Sequence, residues 1–116
     1  MQLFVYISGN PEVVPPLMSE LLAKGIHGAT SVDCKGMLRS IEEASDIEAP
    51  PAFGALRYLL NPEFKSGKMV FIVLRDEDIP TVREAVHKIC GNLRLPNTGV
   101  FFSVPVMNWE GVSHRE

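Results

Sequence analysis

The sequence predicts one α+β domain, residues 1–116, in which two β-α-β units are separated by a long irregular segment. Short apolar runs of strand length alternate with two stretches that have the apolar spacing of helices. Glycine or proline marks the end of several of these stretches. The chain has 116 residues, of which 46% are hydrophobic. That length and composition are typical of a single globular domain with one buried core.

The first unit consists of a strand, a helix and a second strand. An apolar run predicts the first strand at Gln2–Ser8. The helix that follows has apolar residues at Val14, Leu17, Met18, Leu21 and Leu22. Pro15 and Pro16 are compatible only with its first turn, where amide donors have no partner within the helix. Gly25 suits the position after its last turn, and residues 30–35 are predicted as the second strand.

The second unit repeats this order after the irregular segment. The apolar residues 69–74 predict the third strand, and Asp76 or Asp78 is expected to cap the next helix, with Pro80 in its first turn. The predicted buried stripe of that helix contains Ile79, Val82, Val86 and Ile89. Gly91 is expected to end the helix, and residues 99–106 are predicted as the fourth strand.

Two right-handed β-α-β units of this kind interleave into a ferredoxin-like sheet with both helices on one face. In that topology the first and third strands are central. Both are apolar at nearly every position, whereas a central strand covered on one face should alternate. Since the chain has no further element to cover the second face, we expect the protein to self-associate.

The irregular segment covers residues 37–66 and contains Pro50-Pro51 and a cluster of acidic residues. Such a long segment without periodic apolar residues is usually functional or disordered. We expect residues 40–61 to be mobile in the free protein. Their mixed apolar and charged content suits a segment that becomes ordered on a partner.

Composition excludes several classes of function. The formal net charge is −3 and no basic stripe is present, which disfavours a nucleic-acid-binding protein. No stretch has the length of a membrane-spanning helix, so membrane insertion is not expected. Cys34 and Cys90 fit a reducing compartment, and we predict a cytoplasmic protein. No serine, histidine and acid arrangement indicates an enzyme.

Two glycine-bearing segments carry a resemblance to a known family. Residues 28–39 run from the second strand into the long segment, and residues 97–106 turn into the last strand. The most specific matches are Gly28, Thr30, Lys35, Gly36 and Arg39. Together with the order of elements, they make the chain similar to the P-II nitrogen-regulatory signalling proteins, over nearly its whole length.

The resemblance implies a regulatory homotrimer whose helix-free sheet faces line a central cavity. It also implies that residues 37–66, the T-loop of that family, contact a protein target such as a membrane transporter or an enzyme. An adenine nucleotide is the implied ligand, held between subunits by the base of this loop and the turn before the fourth strand. The candidate ligand-binding residues are Thr30, Gly36, Met37, Arg39, Thr98 and Gly99. Glycine turns suit this role because they let backbone amides approach phosphate oxygens.

The chain departs from the family at six positions, of which the resemblance implies that Ser40, Val100, Gly111 and Ser113 would contact a nucleotide or its metal. These positions hold Leu38, Ser40, Phe71, Val100, Gly111 and Ser113, where the family has a glycine, a glutamine, an acidic residue, a lysine and two arginines, respectively. Three lost cations would remove charge-assisted phosphate contacts of roughly 1.5–3 kcal/mol each. We therefore predict weak ATP binding and leave open a less charged nucleotide or another metabolite.

Two other classes of protein share the predicted fold. One is the divalent-cation-tolerance type, a metal-handling trimer, which needs a cluster of histidine and cysteine ligands. His87 and Cys90 lie three residues apart on the second helix but supply only two ligands. The other is a small ferredoxin-like enzyme with a pocket between sheet and helices. Metal titration would identify the first, and a dimeric state would favour the second.

Overall fold

The structure is a computed structural model that describes residues 1–37, 40, 67–91, 93 and 99–112. This part of the chain contains four strands and two helices of ten or twelve residues, together with shorter helical turns. The fold is α+β, with an antiparallel sheet. Its elements are β1 (Gln2–Ser8), α1 (Val14–Ala23), β2 (Thr30–Cys34), β3 (Gly67–Leu74), α2 (Ile79–Cys90) and β4 (Val100–Pro105). The prediction of a mobile segment at 40–61 falls, apart from Ser40, outside the described residues.

The strands lie in the order β2-β3-β1-β4, so β1 and β3 are central, as predicted. All three neighbouring pairs are antiparallel. The register places Val5 of β1 opposite Phe71 of β3 and opposite Phe102 of β4. The predicted strand bounds were correct for β1, whereas β2 is one residue shorter, β3 begins two residues earlier, and β4 loses one residue at each end.

Local turn chemistry accounts for the start and end of α1. A short 3-10 turn precedes it, and the Asn10 side chain accepts a hydrogen bond from the Glu12 amide at 3.1 Å. Prolines occupy the first turn of α1, as predicted. After the helix, Gly25 adopts a positive φ of 79°, and the Ile26 amide donates to the Leu21 carbonyl at 2.8 Å.

The predicted cap position of α2 is confirmed at Asp78, but the capping hydrogen bond is not formed. Asp78 occupies the N-cap position, but neither it nor Asp76 caps the helix through its side chain among the described residues. The Nε of Arg75 donates to the Asp78 carboxylate at 3.4 Å, and Asp76 accepts from the Gln2 side chain at 3.2 Å. Both carboxylates are thus directed to neighbours that a local capping rule does not consider.

The core lies between the helices and one face of the sheet. It contains the buried residues Phe4, Tyr6, Val14, Leu17, Leu21, Ile26, Val70, Ile72, Leu74, Val82, Ala85 and Val86. The predicted stripe of α2 is confirmed at Val82 and Val86, while Ile79 and Ile89 are partly buried beside the core. None of the described helices has the length and apolar content needed to cross a membrane.

The opposite face of the sheet, here called the open face, is apolar on all four strands. Strand alternation and register place ten apolar residues on it: Leu3, Val5, Ile7, Val32, Met69, Phe71, Val73, Val100, Phe102 and Val104. Phe102 is 46% exposed and Val100 is 53% exposed. Neither described helix packs on this face, because the core places both helices against the other one.

A helical turn begins where the irregular segment was expected to start. Met37 and Ser40 are helical, and the Ser40 amide donates to the Gly36 carbonyl at 3.0 Å. That bond joins residues four apart, as in an α-helix. The prediction that no element begins at Met37 was therefore wrong at this position, and residues 41–66 lie outside the described part of the chain.

Candidate functional site

The two glycine turns of the predicted site lie at the same end of the sheet but at opposite edges. Gly36 and Met37 follow β2, and Gly99 precedes β4, and these are the two edge strands. Three strand spacings of about 4.8 Å separate them by roughly 14 Å. The described residues of the two turns therefore do not meet within one chain.

Thr30, another predicted site residue, also lies apart from the two glycine turns. Thr30 is exposed at the opposite end of β2, about four residues or roughly 13 Å from the end that leads to Gly36. Arg39 and Thr98 lie outside the described residues. Of the four predicted residues that the structure describes, it brings together only the sequence neighbours Gly36 and Met37.

Gly99 has a structural reason to be glycine. Its φ is 105°, a conformation that side chains rarely adopt. A Cβ placed there would lie 2.5 Å from the Ile7 carbonyl oxygen and 2.9 Å from Cε1 of Tyr6. No side chain fits between the turn and β1. The glycine that suits a phosphate-binding turn is therefore also required by packing.

A small polar cluster lies below this turn. The Tyr6 hydroxyl is hydrogen-bonded to the side chains of Cys90 and Ser8. Burial, together with the Cys90 contact, holds the pKa of Tyr6 well above its ordinary value, and burial likewise raises the pKa of the Cys90 thiol. Both groups are neutral at physiological pH. Cys90 thus acts as a half-buried hydrogen-bonding partner at the end of α2.

A cavity of about 240 Å³ opens at the other end of the sheet, beside Gly28. Its walls are formed by Met1, the turn before β2, the end of β3, the residues just before α2 and the last described residues of the chain. The lining residues are Met1, Ile26, His27, Gly28, Phe71, Val73, Leu74, Arg75, Asp78, Gly111 and Val112. Phe71 and Val73 supply an apolar wall, and glycine backbone is present on two sides.

The charges around this cavity nearly balance. The Arg75 guanidinium lies 3.4 Å from the Asp78 carboxylate and 3.5 Å from that of Glu77. The amino group of Met1 lies 3.3 Å from Asp76. Hydrogen bonding from Gln2 and from this amino group holds the pKa of the Asp76 carboxyl below its ordinary value. Because each described cation already has carboxylate partners, the cavity is poorly suited to several phosphate charges.

Three cavity residues occupy positions compared with the family above: Gly28, which matches the pattern, and Phe71 and Gly111, which depart from it. Val100, another departure, is exposed on the open face, whereas Leu38 and Ser113 lie outside the described residues. His27 is exposed and lines the cavity. Sequence reasoning missed Arg75; a lone cation directly after an apolar strand was the available signal.

Within residues 1–37, 67–91 and 99–112, no group of three or more histidine, cysteine or acidic side chains is placed to hold a metal ion. His87 and Cys90 share α2 without a third ligand in this part of the chain. Searches of protein-family models and of curated proteins found no match to the chain. The P-II resemblance therefore depends on the sequence motifs and the order of elements.

Proposed function

We propose that this chain is a P-II-like regulatory protein that binds a small molecule between subunits and signals to a protein target. The observation that carries the proposal is the cavity beside Gly28. It combines an apolar wall, two glycine backbones and a rim of paired charges. Its lining differs from the six residues that the resemblance implies, and it shares with the family comparison only Gly28, Phe71 and Gly111. Pockets with apolar walls and a few polar groups are the usual form of small-molecule sites.

The finer fold in this proposal is a ferredoxin-like βαββαβ sandwich with a long loop between the second and third strands. The order of the described elements and the central position of β1 and β3 support it. The loop would comprise residues between Cys34 and Gly67, where β2 ends and β3 begins.

The proposed assembly is a homotrimer with the open faces turned inward. A four-stranded face about 19 Å wide and 17 Å long has an outline of roughly 300 Å². At about 25 cal/mol per Å², covering it contributes roughly 8 kcal/mol per subunit before the cost of association. That cost is about 4–15 kcal/mol, so the open face favours self-association but needs additional contacts to secure it.

The cavity favours a ligand with a planar or apolar body and few charges. Phe71 and Val73 offer an apolar surface to a ring, and the backbone near Gly28 and Gly111 offers hydrogen-bonding groups. Arg75 already pairs with two carboxylates, which limits its use for a triphosphate. A nucleoside, or a nucleotide with one or two phosphates, fits these properties better than ATP.

Signalling would proceed through the segment at 37–66. A ligand that binds one conformation of this loop better than another shifts the population between them. A change of loop conformation would reach the sheet through Met37 and the helical turn at Gly36, which directly follow β2. The target would be recognised by the loop and would stabilise one of its conformations.

Calorimetry with adenosine, AMP, ADP and ATP tests the proposal. We expect binding of at least one of the less charged ligands, and a Val112→Trp variant should weaken it at least tenfold by filling the cavity. Met107→Trp is the matched control, since Met107 lies on the same segment, is 88% exposed and is not a cavity residue. Absence of binding across a broader metabolite panel, or equal binding by Val112→Trp, would refute the proposed site.

A further inference from the structure

We propose that the cavity beside Gly28 binds a small organic monocarboxylate, with its apolar body against Phe71 and Val73 and its carboxylate held by Arg75. The proposal rests on the function proposed above, in which this cavity is a small-molecule site, and it names the class of molecule. All four residues line the cavity. The order of three of them along the chain and the contacts of the Arg75 guanidinium point to this ligand.

Phe71, Val73 and Arg75 form a row on one side of β3. Successive side chains of a strand alternate between its two faces, so residues two apart lie on the same side. β3 ends at Leu74, but the backbone stays extended at Arg75, with φ −68° and ψ 151°. Neighbouring members of the row are about 7 Å apart along the strand. An elongated molecule that lies along this row therefore meets two apolar side chains and then a cation.

The Arg75 guanidinium uses its inner nitrogen for its protein contacts. Its Nε donates to the Asp78 carboxylate at 3.4 Å and lies 3.5 Å from the carboxylate of Glu77. Neither Nη group forms a hydrogen bond within the described part of the chain. The two Nη groups form the end of the planar guanidinium, and their parallel N–H bonds match the two oxygens of a carboxylate. Asp78 thus orients the side chain and leaves this end available to a ligand.

The charges around Arg75 favour a single negative charge on the ligand. The carboxylates of Asp78 and Glu77 already lie beside the guanidinium, and the Asp78 side chain is only 16% exposed. A carboxylate brings one negative charge to this group, whereas a phosphate monoester brings about 1.5–2 at neutral pH. The additional charge would be repelled by both carboxylates, and solvent screens the partly buried Asp78 poorly. A carboxylate is therefore favoured over a phosphate on the same body.

The cavity has room for one ring and a short acid chain. Its volume is about 240 Å³. For comparison, an engineered apolar cavity of about 150 Å³ binds benzene. The remaining space suits a short chain that ends in a carboxylate, and Phe71 offers an aromatic surface against which the ring can pack. Phenylpropionate, a ring joined to a carboxylate by two methylene groups, is a suitable probe.

Nuclear magnetic resonance titrations of the full chain with phenylpropionate and with its neutral analogue phenylpropanamide test the proposal. The two probes share their ring and chain, so a difference in affinity reports on the carboxylate. The charge-assisted contact should make the acid bind about tenfold more tightly than the amide. Equal affinity of the two probes, or no binding of the acid, would overturn the proposal. The titrations of the Val112→Trp variant described above decide separately whether the cavity is a small-molecule site.

Arg75→Gln tests which residue recognises the carboxylate. This variant should bind the acid no better than the amide, while its affinity for the amide stays within about twofold of the unmodified chain. Unchanged amide binding shows that the cavity is intact. Arg83→Gln is the matched control, because Arg83 is exposed on α2, lies over the Phe101 ring and is not a cavity residue. A preference for the acid that persists in Arg75→Gln, or that is lost in Arg83→Gln, would overturn the assigned role of Arg75.

Two further measurements test the argument from charge. Glu77→Gln removes an exposed carboxylate that contacts only the Nε side of Arg75, so it should preserve or increase the preference for the acid. Phenethyl phosphate, which carries a phosphate on a similar body, should bind the unmodified chain more weakly than phenylpropionate. Loss of the preference in Glu77→Gln, or tighter binding of the phosphate, would overturn recognition of a carboxylate by the free end of Arg75.

Discussion

Replacing Gly99 by alanine should destabilise the protein far more than the same change at Gly28. Both glycines have positive φ angles, 105° and 80°, so both substitutions carry the strain of a left-handed conformation, about 1–2 kcal/mol. The two sites differ in the room that they offer to an added Cβ. The new Cβ at Gly28 has no heavy atom within 4 Å, whereas at Gly99 it lies 2.5 Å from the Ile7 carbonyl oxygen.

The magnitude follows from that contact. A distance of 2.5 Å is almost 1 Å inside ordinary van der Waals contact, and the obstructing atom belongs to the backbone of a central strand. The start of β4 must therefore move, which adds an overpacking cost of about 1–3 kcal/mol. We expect Gly99→Ala to lower the free energy of unfolding by about 3–4 kcal/mol, and Gly28→Ala by about 1–2 kcal/mol.

Urea denaturation followed by circular dichroism measures both values. All variants must be compared at one protein concentration, because self-association adds to apparent stability. Gly36→Ala is a useful third variant, since its Cβ meets nothing within 4 Å and its φ lies outside the positive range; it should change the free energy of unfolding by less than about 0.5 kcal/mol. If Gly99→Ala loses no more stability than Gly28→Ala, the close packing of this turn on β1 is wrong.

Three further predictions concern pH, association and ligand. The folded-state pKa values of Tyr6 and Cys90 lie above their ordinary values of 10.0 and 9.0. Their contribution to the free energy of unfolding is therefore complete below about pH 9 and is lost as the pH rises further. The double variant Tyr6→Phe, Cys90→Ala should lose less stability at alkaline pH, as measured by urea titrations at several pH values. Phe102→Lys should reduce association in light scattering by placing a charge on the open face, whereas Leu22→Lys, on the exposed side of α1, should not; equal effects would contradict the assigned interface. ATP should bind with a dissociation constant in the high micromolar range or above, because three absent cations lower the affinity by roughly two orders of magnitude. Arg39→Ala should abolish any remaining phosphate-dependent binding. Sub-micromolar ATP affinity in calorimetry would refute this prediction.

Much of the fold could be predicted because its signals are local. The apolar run at Gln2–Ser8 matches β1. Prolines that cannot stand inside a helix located the start of α1, and the positive φ of Gly91 matches its predicted place after α2. The apolar character of two central strands also predicted an uncovered face. The sequence predicted the position of the α2 cap at Asp78 but not the partner of its side chain, since the neighbouring Arg75 guanidinium binds this carboxylate instead of the helix amides.

The candidate site was much less predictable. The sequence by itself determined the glycine turns and the apolar strands, because each depends on residue type and short-range spacing. Only the tertiary structure placed Gly36 and Gly99 at opposite edges, and only it joined Gly28, Phe71, Arg75 and Gly111 around one cavity. Those residues are separated by many positions in the chain. Their proximity is set by strand order and register, which no local pattern specifies.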